Sequence, residues 1–450
     1  MQFNTSKRAI ISWCIYDWAN SAFPVIVTTF IFAAYFTRKI ASNEIIGTHQ
    51  WGNAIALAGL GITLLSPIFG AIADYSGKRK QWLGFFTFIV ILSSALLWYA
   101  YPSINYINTT LATVILGTLG LEIGMVFYNS MLPSLAPPNY LGRISGWSWS
   151  LGYLGGLVAL IIALFGFVKG EPHWLNTTTA EQIRICGPFI ALWFAVFSIP
   201  LFLFVPNYGI NNYKLKQSIS YGLHDLMKTI KTLPQQKNIF LYLIAHMIYI
   251  DGLNTIFAFG GIYAAGTFGM SMSDIILFGI VMNIAAGVGA AIMAWMDDLI
   301  GSKPTILCSL IALIFLSINI VLVHTKFWFW ILGTCLCLFV GPVQSASRTL
   351  MARLIEKDNA TEMFGLYAFS GKVTTFMGPW ILGMATLSFN SQRVGMATVI
   401  LFFILGGTLL WFVREPKKDQ TYTKSFSKIS SALANTDETN LHLAQPQSNP

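Results

Sequence analysis

Charge is what this sequence has least of. Asp, Glu, Lys and Arg make up 10% of its 450 residues, where a soluble chain carries about a quarter. Together with 55% hydrophobic residues and a mean hydropathy of +0.63, that scarcity excludes an ordinary soluble domain and leaves a multi-spanning membrane protein. Cysteine is scarce too. Cys14, Cys186, Cys308, Cys335 and Cys337 are scattered with no CxxC or Cys/His spacing, so they read as packing residues, and no metal site is expected. No HExxH, GxSxG or Walker loop occurs, which argues against a membrane enzyme and against ATP-driven transport. No cofactor is expected. A cleavable signal segment is not expected either, because Lys7 and Arg8 lead straight into an apolar stretch too long for a signal core.

What the chain does have is apolar runs long enough to cross a bilayer, at about 20 residues each. Twelve are expected, at 10–36, 51–73, 82–101, 110–134, 142–168, 186–205, 239–264, 273–296, 304–323, 327–350, 363–388 and 394–413. They divide the chain into an N-terminal six-helix bundle (1–205), a polar linker (206–238), a C-terminal six-helix bundle (239–414) and a polar tail (415–450) expected to be disordered. Tyr221–Lys231 in the linker reads as a helix lying on the membrane surface. Of the 27 Lys and Arg, 20 fall on the side that holds both termini, 6 on the other, and Lys372 lies within a span. The positive-inside rule makes that side cytoplasmic. The net charge of +9 is therefore topological and implies no nucleic acid.

Within the apolar spans a few polar groups stand out. Tyr16-Asp17-Trp18-Ala19-Asn20-Ser21 in span one and Tyr249-Ile250-Asp251-Gly252-Leu253-Asn254-Thr255 in span seven share Asp-x-x-Asn-Ser/Thr, 234 residues apart. An i, i+3 pair lies on one helix face, and a carboxylate at membrane depth marks a pathway, a relay or a partner. Asp17, Asn20, Ser21, Asp251, Asn254 and Thr255 are thus candidates for binding substrate or proton, or for packing between helices. Lys372 in span eleven needs an anion, and Asp17 and Asp251 are expected to form a polar centre with it. Glu122 in span four reads as a coupling group or a buried hydrogen-bonding partner. His246 reads as a satisfied core residue. Pro24 and Pro379 are expected to kink spans one and eleven.

The repeat extends to the loops. Gly70-Ala-Ile-Ala-Asp74-Tyr-Ser-Gly77-Lys78-Arg79-Lys80 follows span two, and Ala294-Trp-Met-Asp297-Asp298-Leu-Ile-Gly301-Ser-Lys303 follows span eight. Aligning Gly146 with Gly365 also aligns Gly152 with Gly371 and sets Tyr153 opposite Lys372. A six-helix unit repeated in the same orientation gives two bundles around a cavity. These loops resemble the signature loop of the major facilitator superfamily, although Tyr75, Leu299 and Ser302 depart from its basic positions. The run from Tyr16 to Phe23, with Phe364-Gly365 through Gly371-Lys372 and Gly378-Pro379, resembles the vacuole-effluxer-like branch, whose fungal autophagy-related members export amino acids. The resemblance implies twelve transmembrane helices in the major facilitator fold. It also implies that Asp74 meets the start of span eleven near Gly365, and Asp298 the start of span five near Gly142–Gly146. Gly77, Arg79, Arg143, Gly301 and Arg348 join Asp74 and Asp298 as candidate gating residues.

The function expected is secondary transport of a small polar solute, amino acids first by resemblance, with the proton as an optional coupling ion. The alternatives are a transport-dead sensor or scaffold working through the basic linker and tail, and an efflux pump for apolar drugs. The partners expected are a small molecule and the lipid bilayer, with the chain a monomer in a bacterial inner, plasma or vacuolar membrane.

Overall fold

A computed structural model describes residues 6–170, 172–207 and 213–416. The tail from 417 onward lies outside the described residues. A backbone crossing hydrocarbon must satisfy its own hydrogen bonds, and the described chain does so as helices. The first six spans are α1 (Lys7–Ile40), α2 (Glu44–Ser76), α3 (Arg79–Tyr99), α4 (Ile104–Leu135), α5 (Pro138–Val168) and α6 (Glu181–Phe204). The linker carries α7 (Leu215–Thr232). The second set is α8 (Lys237–Phe268), α9 (Met272–Ile300), α10 (Ser302–Leu322), α11 (Lys326–Leu354), α12 (Ala360–Lys372), α13 (Met377–Phe389) and α14 (Gln392–Trp411). Among the described residues, eleven helices are long and apolar enough to span on their own. The twelfth crossing is shared by α12 and α13, giving two bundles of six.

Span eleven therefore departs from the single helix expected at 363–388. It stops at Lys372, turns through 373–376 and restarts at Met377. The β-branched run Val373-Thr374-Thr375 is a poor helix former, and Pro379 needs no backbone donor in the first turn of the new helix. In α1, Pro24 opens a widened π-helical segment, Pro24–Phe30. Gly77 ends α2 at φ +64°, where a side chain would be strained.

The bundles meet on the side bearing both chain ends, the basic side. There α2 packs on α12, and α5 on α9. Glycine makes both approaches close enough. A Cβ on Gly70 would sit 2.5 Å from the Thr361 carbonyl oxygen, and one on Gly146 would sit 2.6 Å from that of Ala290. Toward the opposite side, the α5–α9 seam stays in contact as far as Gly279 and Phe30 of α1. Span eleven parts from α2 there, because α13 packs on α8 and α14 instead. The linker helix is longer than the Tyr221–Lys231 expected and lies against α2. Gly222 touches the backbone of Ala71 and Ile72, and Asp225 accepts from the Tyr75 hydroxyl.

Candidate functional site

The polar groups form layers along the interface between the bundles. At the basic edge each Asp of the repeated loops caps a helix of the other bundle. Asp74 Oδ2 accepts from Glu362 N at 2.8 Å and Oδ1 from Thr361 N at 3.2 Å, at the start of α12. Asp298 accepts from Gly142 N at 2.8 Å and Arg143 N at 3.1 Å, at the start of α5. These are the contacts the superfamily resemblance implies, and helix starts favour anions. Arg79 is buried, binds Asp74 at 2.7 Å and reaches the Lys357 carbonyl at 2.9 Å. The second loop has Ser302 where an arginine is common. The guanidinium comes instead from Arg353 of α11, at 2.9 Å from Asp297 and 2.6 Å from Glu415. Glu415 in turn accepts from Ser302 N and Lys303 N, each at 2.9 Å. Gly301, at φ +106°, makes the turn that allows this.

Deeper in, Asp17 and Arg348 form a buried pair across the interface at 3.1 Å. Asp17 is 10 residues past Lys7, about 15 Å along α1 at about 1.5 Å per residue. Its Oδ2 also accepts from Ser148 at 2.5 Å, and its Oδ1 from Asn20 at 3.1 Å. Arg348 donates to the Ser145 hydroxyl at 2.9 Å and carbonyl at 2.7 Å, inside an aromatic box of Trp13, Trp149 and Tyr128. Taking both charges out of water is repaid only by such complete pairing. Asp17 is thus engaged by Arg348, whereas the sequence pairs it in expectation with Lys372.

Lys372 pairs with Glu122 of α4 at 2.7 Å. Lys372 is 12 residues past Ala360, about 18 Å along α12, and Glu122 is 13 residues before Leu135, about 20 Å along α4. The pair lies above Asp17 and Arg348, and each side chain is about a third exposed (32% and 31%). Its repeat counterpart is neutral: Tyr153 of α5 donates to Gln344 of α11. Positions matched by the repeat thus both bridge the two bundles, and only one bridge carries charge.

Asp251 belongs to neither pair. One oxygen accepts from Gly378 N of α13 at 3.1 Å, and the other has no partner among the described residues. Thr255 and Ser21 repeat one role, each hydroxyl bonding the carbonyl of the Asp four residues earlier, at 2.7 and 2.8 Å. Asn254 is half-buried with no side-chain bond among the described residues. His246 bonds Ser370 at 2.8 Å and stacks on Tyr367, a core residue. Sequence reasoning passes over Trp13, Tyr128, Ser145, Ser148, Arg353 and Glu415. For Ser145 and Ser148 the available signal was polarity at i, i+3 in a glycine-striped span. Arg353 and Glu415 lie at span ends, where charge is ordinary.

Twelve crossings in two glycine-seamed bundles, with buried ion pairs between them, define a transporter of the major facilitator superfamily. The chain belongs to the family described as "Vacuole effluxer Atg22 like", which matches residues 53–422. An uncharacterized MFS-type transporter of Bacillus subtilis (strain 168), YxiO, is 26% identical over 416 residues, covering 90% of this chain and 94% of its own. Autophagy-related protein 22 of Kluyveromyces lactis is 22% identical over 286 residues, covering 58% of this chain and 56% of its own. The chain thus spans nearly all of the bacterial relative and about half of the fungal one. Among solved structures, the fold is similar to the MFS transporter FucP in an outward conformation (TM-score 0.73, 12% identical, 91% of this chain and 99% of that one). It is also similar to the human organic anion transporter MFSD10 (TM-score 0.71, 13% identical, 90% and 99%).

Proposed function

We propose that this secondary transporter carries zwitterionic amino acids, and that Lys372 and Glu122 are its substrate-binding pair. The observation that carries the reading is their contact across the interface at 2.7 Å, about a third exposed, with one charge from each bundle. An ammonium and a carboxylate held face to face present the complement of an amino acid's carboxylate and ammonium. A zwitterion entering between them replaces one ion pair by two and leaves no charge unmatched in a low-dielectric site. A solute of a single charge would strand either Lys372 or Glu122, which sets the selectivity. Asp17 and Arg348 lie one layer nearer the basic side and act as the closed gate beneath the site. With the basic side cytoplasmic, as the Lys and Arg bias indicates, this is a state closed to the cytoplasm.

The test is counterflow in proteoliposomes with a panel of amino acids, beside their amides and their deaminated analogues. Expected are uptake of the zwitterions, at least tenfold weaker uptake of the singly charged analogues, and loss of uptake in Lys372→Ala and in Glu122→Gln. Wild-type rates in both variants would remove the pair from the binding site.

A further inference from the structure

Most carboxylates along the bundle interface have a basic side chain in reach. Asp17 has Arg348, Asp74 has Arg79, Glu122 has Lys372, Asp297 has Arg353, and Asp298 has Arg143 and Arg353. Glu362 lacks one, but it lies in the first turn of α12 at the basic edge. Asp251 lies deep in α8, is 1% exposed, and has no basic partner among the described residues. Among the described residues its one side-chain bond comes from a backbone donor, Gly378 N, and its Oδ1 is buried with no partner. An unpaired buried carboxylate is among the costliest groups a protein can hold.

The neighbourhood of Oδ1 includes a second oxygen, Thr255 Oγ1, packed against a position that only glycine fits. A Cβ on Gly378 would fall on Thr255 Oγ1 and within 3.2 Å of Asp251 Oδ1. Thr255 gives its hydroxyl hydrogen to the Asp251 carbonyl, so its lone pairs stay free. The break brings α12 to an end one turn away. Gly371, its penultimate residue, faces His246 and Ile250 of α8, and a helix end leaves carbonyl oxygens with partial negative charge.

We infer that the break in span eleven is a binding site for a monovalent cation, sodium or the proton. Asp251 Oδ1 is its anionic ligand, and the site is separate from the Lys372–Glu122 pair. A single carboxylate suits a single charge, whereas calcium and magnesium sites draw on more oxygen ligands. The described residues hold no cluster of three His, Cys, Asp or Glu. The ionisable groups on the elements around Asp251 include His246, Tyr242, Tyr249 and Tyr263 on α8, Glu362, Tyr367 and Lys372 on α12, Arg348 and Arg353 on α11, Asp274, Asp297 and Asp298 on α9 and Arg393 on α14. None of them bonds Asp251. Its role in coupling rests on the transporter reading above; its existence does not.

The experiment uses the purified full chain without substrate. Its thermal midpoint is measured in sodium, potassium and choline chloride at alkaline pH, and then across falling pH in choline. Expected is a rise of roughly 3 °C or more with sodium if that is the ligand, or with acid if it is the proton. Asp251→Asn loses that response, and Glu122→Gln keeps it. A wild-type midpoint indifferent to both cations overturns the site, as does an unchanged response in Asp251→Asn. Should that variant not fold, Thr255→Val replaces it, and a wild-type response there overturns the site equally. Because no solute is present, a failed amino-acid counterflow leaves this result standing.

Discussion

Arg348 carries its charge out of the second bundle, and each of its three guanidinium nitrogens donates into the first. Asp17, the Ser145 hydroxyl and carbonyl, and Asn129 all belong to the N-terminal half. Such a group holds the bundles together only while the basic side is closed, because opening it would strand a buried guanidinium. Removing one partner of a buried pair costs about 3–5 kcal/mol, whereas removing both costs much less. Asp17→Asn and Arg348→Gln should therefore each lower thermal stability sharply, and the double variant should regain a good part of the loss. Calorimetry on the four proteins reads this directly, and strictly additive losses would show that the pair is not coupled. The sequence displayed these charges plainly, since ionisable groups in apolar spans are few. It did not display their pairing. Lys372, Arg348, Asp17 and Glu122 sit on four different helices, and which cation meets which anion is decided by how the bundles dock.

At the scale of elements, the crossings were legible because length and apolarity alone define a span. The Asp loops were legible because the repeat states them twice. The break in span eleven was not, since Pro379 signals a disturbance but lies seven residues beyond Lys372, where α12 ends. The seams depend on glycine rather than on apolarity, and this gives a graded prediction. Gly70→Ala drives a methyl onto the Thr361 carbonyl, and Gly146→Ala drives one onto Ala290 and Ala294. Overpacking of this kind costs about 1–3 kcal/mol, charged only to the closed arrangement. Both variants should expose the basic side, read as faster thiol labelling of a cysteine placed at buried Ser130. Gly52→Ala meets nothing within 4 Å and should label like its parent. On the opposite side, the start of α9 is a capping box of Ser271 and Asp274, tied to Lys326 at 2.6 Å. The hydrogen bond from Lys326, then those from Ser271, hold the Asp274 carboxyl below its ordinary value. A depressed carboxyl stabilises the fold above its unfolded pKa of about 4 and loses that contribution as pH falls through the lower folded value. Asp274→Asn should therefore flatten the acid limb of the stability profile by removing a small contribution at neutral pH, small because the pair is exposed, while leaving stability at low pH unchanged.

Over the whole molecule, the layers make one device. The capped loops, the Asp17–Arg348 pair and the glycine seams all close the basic side, while the side chains of Lys372 and Glu122 stay about a third exposed. Alternating access by rocking requires the α2–α12 and α5–α9 seams to separate during each cycle. The Ser130 hydroxyl of α4 and the Thr361 hydroxyl of α12 lie 3.3 Å apart across this interface, and both side chains are buried. Cysteines at both positions are close in shape to what they replace, and on oxidation they would join the bundles on the basic side. Ser130→Cys with Thr361→Cys should then stop counterflow after oxidation and recover it on reduction, while each single variant transports throughout. The lock should also leave the Lys372–Glu122 layer reachable from the opposite side, so that substrate still stabilises the oxidised protein against heat. Transport that continues after complete cross-linking would mean that the seam does not open during turnover. The two bundles would then have to pass their solute by some motion other than rocking.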